Sequence, residues 1–182
     1  MKILTGNFRG RNIPLVSNPE LRPTADKVRK AAFDTLQGYA KGKRVLDLYS
    51  GTGAMGLEAL SQGAAYVRFV EQDREQARRL EALVDRWGFE ASTDVDPMDA
   101  LRAIDRAGFR KDNYELVFMD APYKSKLGLE TLKALGDSGI VAKGGFVFLE
   151  CGKSEILPEG ISPFKMVRDR RYGMTRVVVY QS

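Results

Sequence analysis

The residues best able to do chemistry gather around Asp47, a carboxylate four positions ahead of a glycine turn, Gly51-Thr52-Gly53-Ala54-Met55-Gly56. An apolar run leads into the turn and a stretch with helical apolar spacing leaves it. Strand, tight turn and helix bring backbone N–H groups close to a nucleotide-like ligand. Glu71 follows Gly51 by 20 positions, at the end of the apolar run 66–70. That spacing suits an acid that meets ribose hydroxyls. Two ligand classes fit so far, and Asp47 separates them. A dinucleotide would bring a pyrophosphate against this carboxylate and be repelled. S-adenosyl-L-methionine has no phosphate and carries a sulfonium and an ammonium, which Asp47 attracts. Charge therefore favours the methyl donor, whose spent form is S-adenosyl-L-homocysteine. Asp47, Ser50, Gly51, Thr52 and Gly53 are expected to form one side of the donor pocket. Glu71 and Gln72 at the second strand end, with Asp99 and Ala100 at a later helix start, form the other. Asp99 has two readings: an adenine contact, or an ordinary first-turn acid.

A second constellation, Asp120-Ala121-Pro122-Tyr123, follows the apolar strand 114–119. It resembles the Asn/Asp-Pro-Pro-Tyr/Phe signature of methyltransferases that modify exocyclic amines of nucleobases. Such an amine is a poor nucleophile because its lone pair is delocalised into the ring. The Asp120 carboxylate and the Ala121 carbonyl supply two acceptors for its two N–H bonds and favour a tetrahedral nitrogen. Positive charge then develops beside Asp120. Tyr123 is expected to stack on a base that is flipped out or unpaired. Ala121 stands where the signature has proline, which keeps the carbonyl but gives up stiffness.

These groups need a scaffold. Runs at 45–48, 66–70, 89–95, 114–119 and 145–149 read as strands and alternate with helical patterns. That rhythm predicts an α/β fold with a mostly parallel sheet and helices on both faces. Asp47, Glu71 and Asp120 then share the carboxyl edge, where ligands of such sheets bind. Residues 164–172 and 174–180 read as a C-terminal β-hairpin turning at Gly173, which brings the expected sheet to seven strands. Ahead of the core, 2–4 and 12–15 read as a short hairpin. A helix follows with Thr24 as N-cap and Val28, Ala31, Ala32 and Leu36 on one face.

Composition narrows the partners. The 182 residues suit a single compact unit, and 43% hydrophobic content can build a core. No apolar run approaches membrane-spanning length. With one cysteine and no histidine, Ser–His and Cys–His nucleophile pairs are excluded, and no metal is expected. A reduced, cytoplasmic setting is the expectation. The net charge of +5 is unevenly placed. Residues 1–44 hold ten Lys or Arg against three acids, whereas the remainder holds 19 against 21. Residues 1–42 therefore read as a basic extension suited to a polyanion such as nucleic acid, with Arg9, Arg11, Arg22, Lys27 and Arg29 as the expected contacts if that partner is RNA. Residues 43–182 read as the catalytic core. Arg22 is equally suited to buttressing the loop over the donor site.

Further motifs narrow the likeness. Arg9-Gly10-Arg11, Leu21-Arg22-Pro23-Thr24-x-Asp26-Lys27-Val28-Arg29, the stretch from Val45 to Leu60 and Tyr172-Gly173-x-Thr175 occur in order. Together they resemble the bacterial 16S rRNA guanine-N2 methyltransferase family (RsmD-like) over nearly the whole chain. The resemblance implies a Rossmann-like class I methyltransferase acting on one guanine of an assembled or partly assembled 30S subunit. Nothing in the sequence suggests an obligate interface, and a monomer is the expectation. It also implies an amine pocket of Asp120, Ala121, Pro122 and Tyr123. Family members carry asparagine in the second helix where this chain has Leu83. Other methyl acceptors, adenine in DNA or a protein glutamine, share related signatures. A nicotinamide-dependent oxidoreductase and a non-catalytic RNA-binding module are the remaining alternatives.

Overall fold

The apolar runs become five parallel strands: β1 (Arg44–Leu48), β2 (Tyr66–Val70), β3 (Thr93–Asp96), β4 (Tyr114–Asp120) and β5 (Val141–Gly152). The structure, a computed structural model, describes residues 1–14, 26–122 and 126–182. Helix α1 (Asp26–Leu36) precedes β1, and α2 (Ala54–Ser61), α3 (Arg74–Arg86), α4 (Ala100–Arg110) and α5 (Leu127–Ser138) connect the strands. A two-residue strand β6 (Gly160–Ile161) leads into the expected hairpin of β7 (Phe164–Tyr172) and β8 (Thr175–Gln181). The sheet order is β3-β2-β1-β4-β5-β8-β7-β6, with β8 antiparallel to β5. Eight strands thus replace the expected seven. The addition is β6, which is too short for alternation to register in sequence.

Alternate side chains along each strand feed two cores. On one face Phe33 of α1, Leu57 of α2 and Leu80 of α3 pack against Val67, Phe118 and Phe148. On the other, Ile104 of α4 and Leu132 and Leu135 of α5 pack against Leu46, Val117 and Leu149. The third glycine of the turn sets how closely α2 lies on the sheet. A Cβ at Gly56 would come 2.2 Å from the Phe69 ring and 2.8 Å from Val67 Cγ1. Gly56→Ala is expected to destabilise the fold by about 1–3 kcal/mol through overpacking, read as a lower urea midpoint at unchanged slope.

Two local expectations change. The expected strand 89–95 begins as a 3-10 turn, Glu90–Ser92, and pairs only from Thr93. Among the described residues, the expected N-terminal hairpin reduces to one antiparallel bridge, Lys2 to Asn12, although Ile3 and Ile13 are both buried. Side chains of α2 take over the role of a strand partner. The Glu58 carboxylate accepts hydrogen bonds from Leu4 N (2.9 Å), Thr5 N (2.8 Å) and Thr5 Oγ1 (2.6 Å). Backbone donors satisfied in this way no longer require a ladder. The expected N-cap Thr24 lies outside the described residues.

Candidate active site

Strand β1 lies between β2 and β4, so the chain winds outward from it in both directions. The crevice at this reversal is where an open α/β sheet receives its ligand. The chain leaves β1 through a turn in which Tyr49 (φ 60°), Gly51 (φ 52°) and Gly53 (φ 75°) all take left-handed backbone. For glycine this costs little. For Tyr49 it is strained, on the order of 1–3 kcal/mol. The strain is held by the Tyr49 hydroxyl, which lies 2.6 Å from Thr131 Oγ1 of α5.

Hydrogen bonds fix the rest of the turn. Ser50 Oγ donates to the Asp47 carbonyl (2.6 Å) and accepts from Val70 N (2.9 Å), tying β1 to β2. The Glu71 carboxylate accepts from Gly51 N and Asp73 N, each at 2.8 Å. Gln76 of α3 donates its amide to the Gly51 carbonyl at 2.8 Å, while its Oε1 is buried and meets no hydrogen-bond partner among the described residues. Thr52 and Ala100 are buried, Gln72 is exposed, and Gly53 opens α2. Asp99 caps α4 through Leu101 N (2.9 Å) and Arg102 N (3.2 Å). It also stands near enough to Tyr49 to help raise the phenol's pKa, which burial raises first.

Asp47 is 3% exposed and accepts from Gly56 N at 2.8 Å. Burial pushes its carboxyl up to about 8; the Gly56 N–H opposes this and the Glu71 charge adds to it. A cationic ligand would relieve that cost, and a phosphate would raise it. Two buried carboxylates flanking one backbone turn therefore fit a phosphate-free, positively charged cofactor. Each Glu71 oxygen spends one lone pair on backbone and keeps another for a hydroxyl donor.

Beside this half lies a small, partly open cleft. Val28 and Ala32 of α1 form one wall, and Asp47, Asp120, Phe118, Phe148 and Glu150 are among the residues lining it. Register explains the grouping. Asp47 pairs with Phe118, Phe118 with Phe148, and Asp120 with Glu150, so their side chains share the face that α1 covers. Ala121 is buried directly behind Asp120, and Pro122 is exposed. Tyr123 lies outside the described residues.

The expected RNA-contact residues divide. Arg29 is corrected: its side chain is fully buried and offers no surface to a partner. Its Nη2 donates to the Lys2 carbonyl (2.5 Å) and Asp26 Oδ1 (3.0 Å), and Nε lies 3.5 Å from Glu58 Oε2. The buried stripe of α1 includes Arg29 and Phe33 beside Val28, Ala32 and Leu36, wider than apolar spacing alone suggested. Arg29 locks α1, the N-terminal segment and α2 together. Arg29→Ala is expected to cost about 3–5 kcal/mol by stranding the Glu58 charge, measurable by chemical denaturation.

Arg9 and Arg11 are exposed on a turn docked at the far end of α2, where Asn7 N donates to the Ser61 carbonyl at 2.8 Å. Arg11 lies over Phe8 (4.5 Å) and Trp87 (5.3 Å). Helix α2 starts at the glycine turn and ends at Ser61, so these two arginines sit at the sheet edge opposite Asp120. Lys27 is exposed next to the cleft wall residue Val28. Arg22 lies outside the described residues.

Sequence reasoning passed over Tyr49, Gln76 and Glu150. Asp73-x-x-Gln76 has the spacing of a capping box; Asp73 does accept from Gln76 N at 3.0 Å. The glutamine side chain, however, turns to Gly51 instead of back to its cap. Only the packing of α3 on the turn shows that. No described helix is long and apolar enough to cross a membrane. No group of three or more metal-ligating side chains occurs among the described residues.

A sheet reversed at β1, a glycine turn between buried acids and an antiparallel hairpin closing the edge define a Rossmann-like class I methyltransferase. The chain belongs to the family described as Conserved hypothetical protein 95, whose model matches residues 1–181. It is 30% identical to the Escherichia coli K12 ribosomal RNA small subunit methyltransferase D, over 100% of this chain and 89% of that one. It is also 30% identical to YlbH of Bacillus subtilis, provisionally named an rRNA methyltransferase, over 100% of this chain and 98% of the relative. The solved structure of hypothetical protein TTHA0928 of Thermus thermophilus superposes with a TM-score of 0.84. It is 30% identical, and the match covers 98% of both chains.

Proposed function

We propose that this protein transfers a methyl group from S-adenosyl-L-methionine to the exocyclic N2 amine of a guanine in 16S ribosomal RNA. The observation that carries the reading is the pair of acceptors at the end of β4, the Asp120 carboxylate and the Ala121 carbonyl. They lie across the sheet reversal from Asp47 and the glycine turn. The names of the curated relatives support ribosomal RNA as substrate.

When bound, the cofactor supplies an electrophilic methyl on a sulfonium. Asp47 would hold its cationic amino-acid end, directly or through water, while Glu71 would accept from the ribose hydroxyls. Asp99 flanks the adenine side. Asp120 and the Ala121 carbonyl draw on the two N–H bonds of the amine, which localises the nitrogen lone pair and directs it at the methyl. Methylation would place positive charge on the nitrogen next to Asp120. A fixed carboxylate there lowers the barrier, and the nitrogen then sheds one proton. Tyr123 is assigned the stacking role on the flipped base.

Residues 1–42 are proposed as a basic RNA-binding extension of the 43–182 core, with Lys27 at the cleft mouth and Arg9 and Arg11 reaching a separate stretch of RNA. The substrate is assigned as an assembled or partly assembled 30S particle, and the enzyme as a cytoplasmic monomer.

The test is incubation with labelled donor and small subunits from a strain lacking the activity, followed by nucleoside mass spectrometry. N2-methylguanosine is the expected product. Label only in DNA or protein, or in another base of the RNA, overturns the assignment.

A further inference from the structure

The cleft contains a third carboxylate beside Asp47 and Asp120, Glu150, which the transfer does not use. Glu150 is in register with Asp120 across β4 and β5, and both line the cleft. Neighbouring strands run about 4.8 Å apart, so two acceptors stand side by side at the strand ends. Beneath them, two residues back along each strand, Phe118 and Phe148 pack with ring centroids 5.7 Å apart. A flat, apolar-faced ligand with two adjacent donors on one edge is what such a cleft accommodates.

Resting on the guanine-amine reading, we propose that Glu150 determines base specificity by accepting the N1–H of the flipped guanine, while Asp120 and the Ala121 carbonyl hold its N2 amine. Guanine alone among the four RNA bases puts two neighbouring donors, N1–H and N2–H, on its Watson–Crick edge. Adenine places a lone pair at N1 beside its amine, and cytosine places one at N3. Either would set acceptor against acceptor, leaving the Glu150 carboxylate facing a lone pair inside an occupied cleft. Sites built on a required hydrogen bond reject the analogue lacking it far more strongly than sites built on shape.

The discriminating substrate is RNA carrying 2-aminopurine, which keeps the exocyclic amine and replaces N1–H with a lone pair. The target position is first fixed by mass spectrometry of the wild-type product on unmodified small subunits. Subunits with guanine or 2-aminopurine at that position are then compared by kcat/KM. Wild type is expected to prefer guanine by about 100-fold or more. Glu150→Gln, whose amide can donate to the N1 lone pair, is expected to narrow that preference at least tenfold with donor affinity unchanged. Glu150→Asp keeps the carboxylate and is expected to keep the guanine preference. A Gln variant that loses rate on both substrates at an unchanged ratio overturns the role of Glu150 and leaves the guanine reading standing. A wild-type product other than N2-methylguanosine overturns both.

Discussion

Asp120→Ala is expected to bind S-adenosylmethionine as the wild type does and to lose methyl transfer by about 10²–10³-fold, the effect of removing one preorganised group at developing charge. The two effects separate because the contact changes during the reaction. In the ground state the amine is neutral and Asp120 makes an ordinary hydrogen bond. In the transition state the nitrogen carries charge, and the same contact becomes ionic. An interaction that strengthens along the reaction lowers kcat when it is lost. Asp120 ends β4, whose Met119 is paired with Leu48 of β1, so the carboxylate is held by two strands. Asp120→Asn keeps an acceptor without the charge and is expected to fall between wild type and alanine. Single-turnover rates with saturating donor, paired with calorimetry of donor binding, distinguish chemistry from affinity. Normal turnover in the alanine variant would remove Asp120 from this role.

Asp47→Asn is expected to weaken donor binding by about 10–100-fold, the worth of a hydrogen bond to a charged group, and yet to stabilise the ligand-free protein above neutral pH. The carboxyl of Asp47 rises from an ordinary 3.8 to about 8 in the folded chain. A carboxyl raised on folding binds its proton more tightly in the native state. Its contribution is therefore complete below about pH 4 and is lost as pH climbs through about 8. Asparagine has no proton to lose. Urea denaturation from pH 4 to 9 is thus expected to show a falling wild-type curve and a flatter one for Asp47→Asn, with the variant more stable by a few kcal/mol at the alkaline end. For wild type, the cationic donor favours the ionised carboxylate, so donor affinity increases with pH up to about 8. A variant with parallel pH dependence and undiminished affinity would show that Asp47 serves only the turn. Such a balance, in which a binding group costs stability while its ligand is absent, is common at functional sites.

The frame of the candidate site was legible before any folding. Apolar runs of strand length ending at Asp47, Glu71 and Asp120 specify both a parallel sheet and the edge that carries its chemistry. Along a strand, side-chain direction and chain position are local quantities. The glycine spacing was legible for the same reason: Gly53 needs left-handed backbone and Gly56 a close approach to β2, and both needs are written into residue type. Burial and register were not legible, because they depend on what arrives from elsewhere in the chain. Arg29 looks like a surface cation on α1 until Glu58, 29 positions away, is folded against it. Where Arg9 and Arg11 stand relative to the site is undetermined until their turn docks at the far end of α2. Glu150 is one acid among 24 until β5 brings it level with Asp120. Residue types and their spacing name the groups that can react. Tertiary packing decides which charges face a ligand and which hold the fold together, since the cost of a buried charge is set by its neighbours in space.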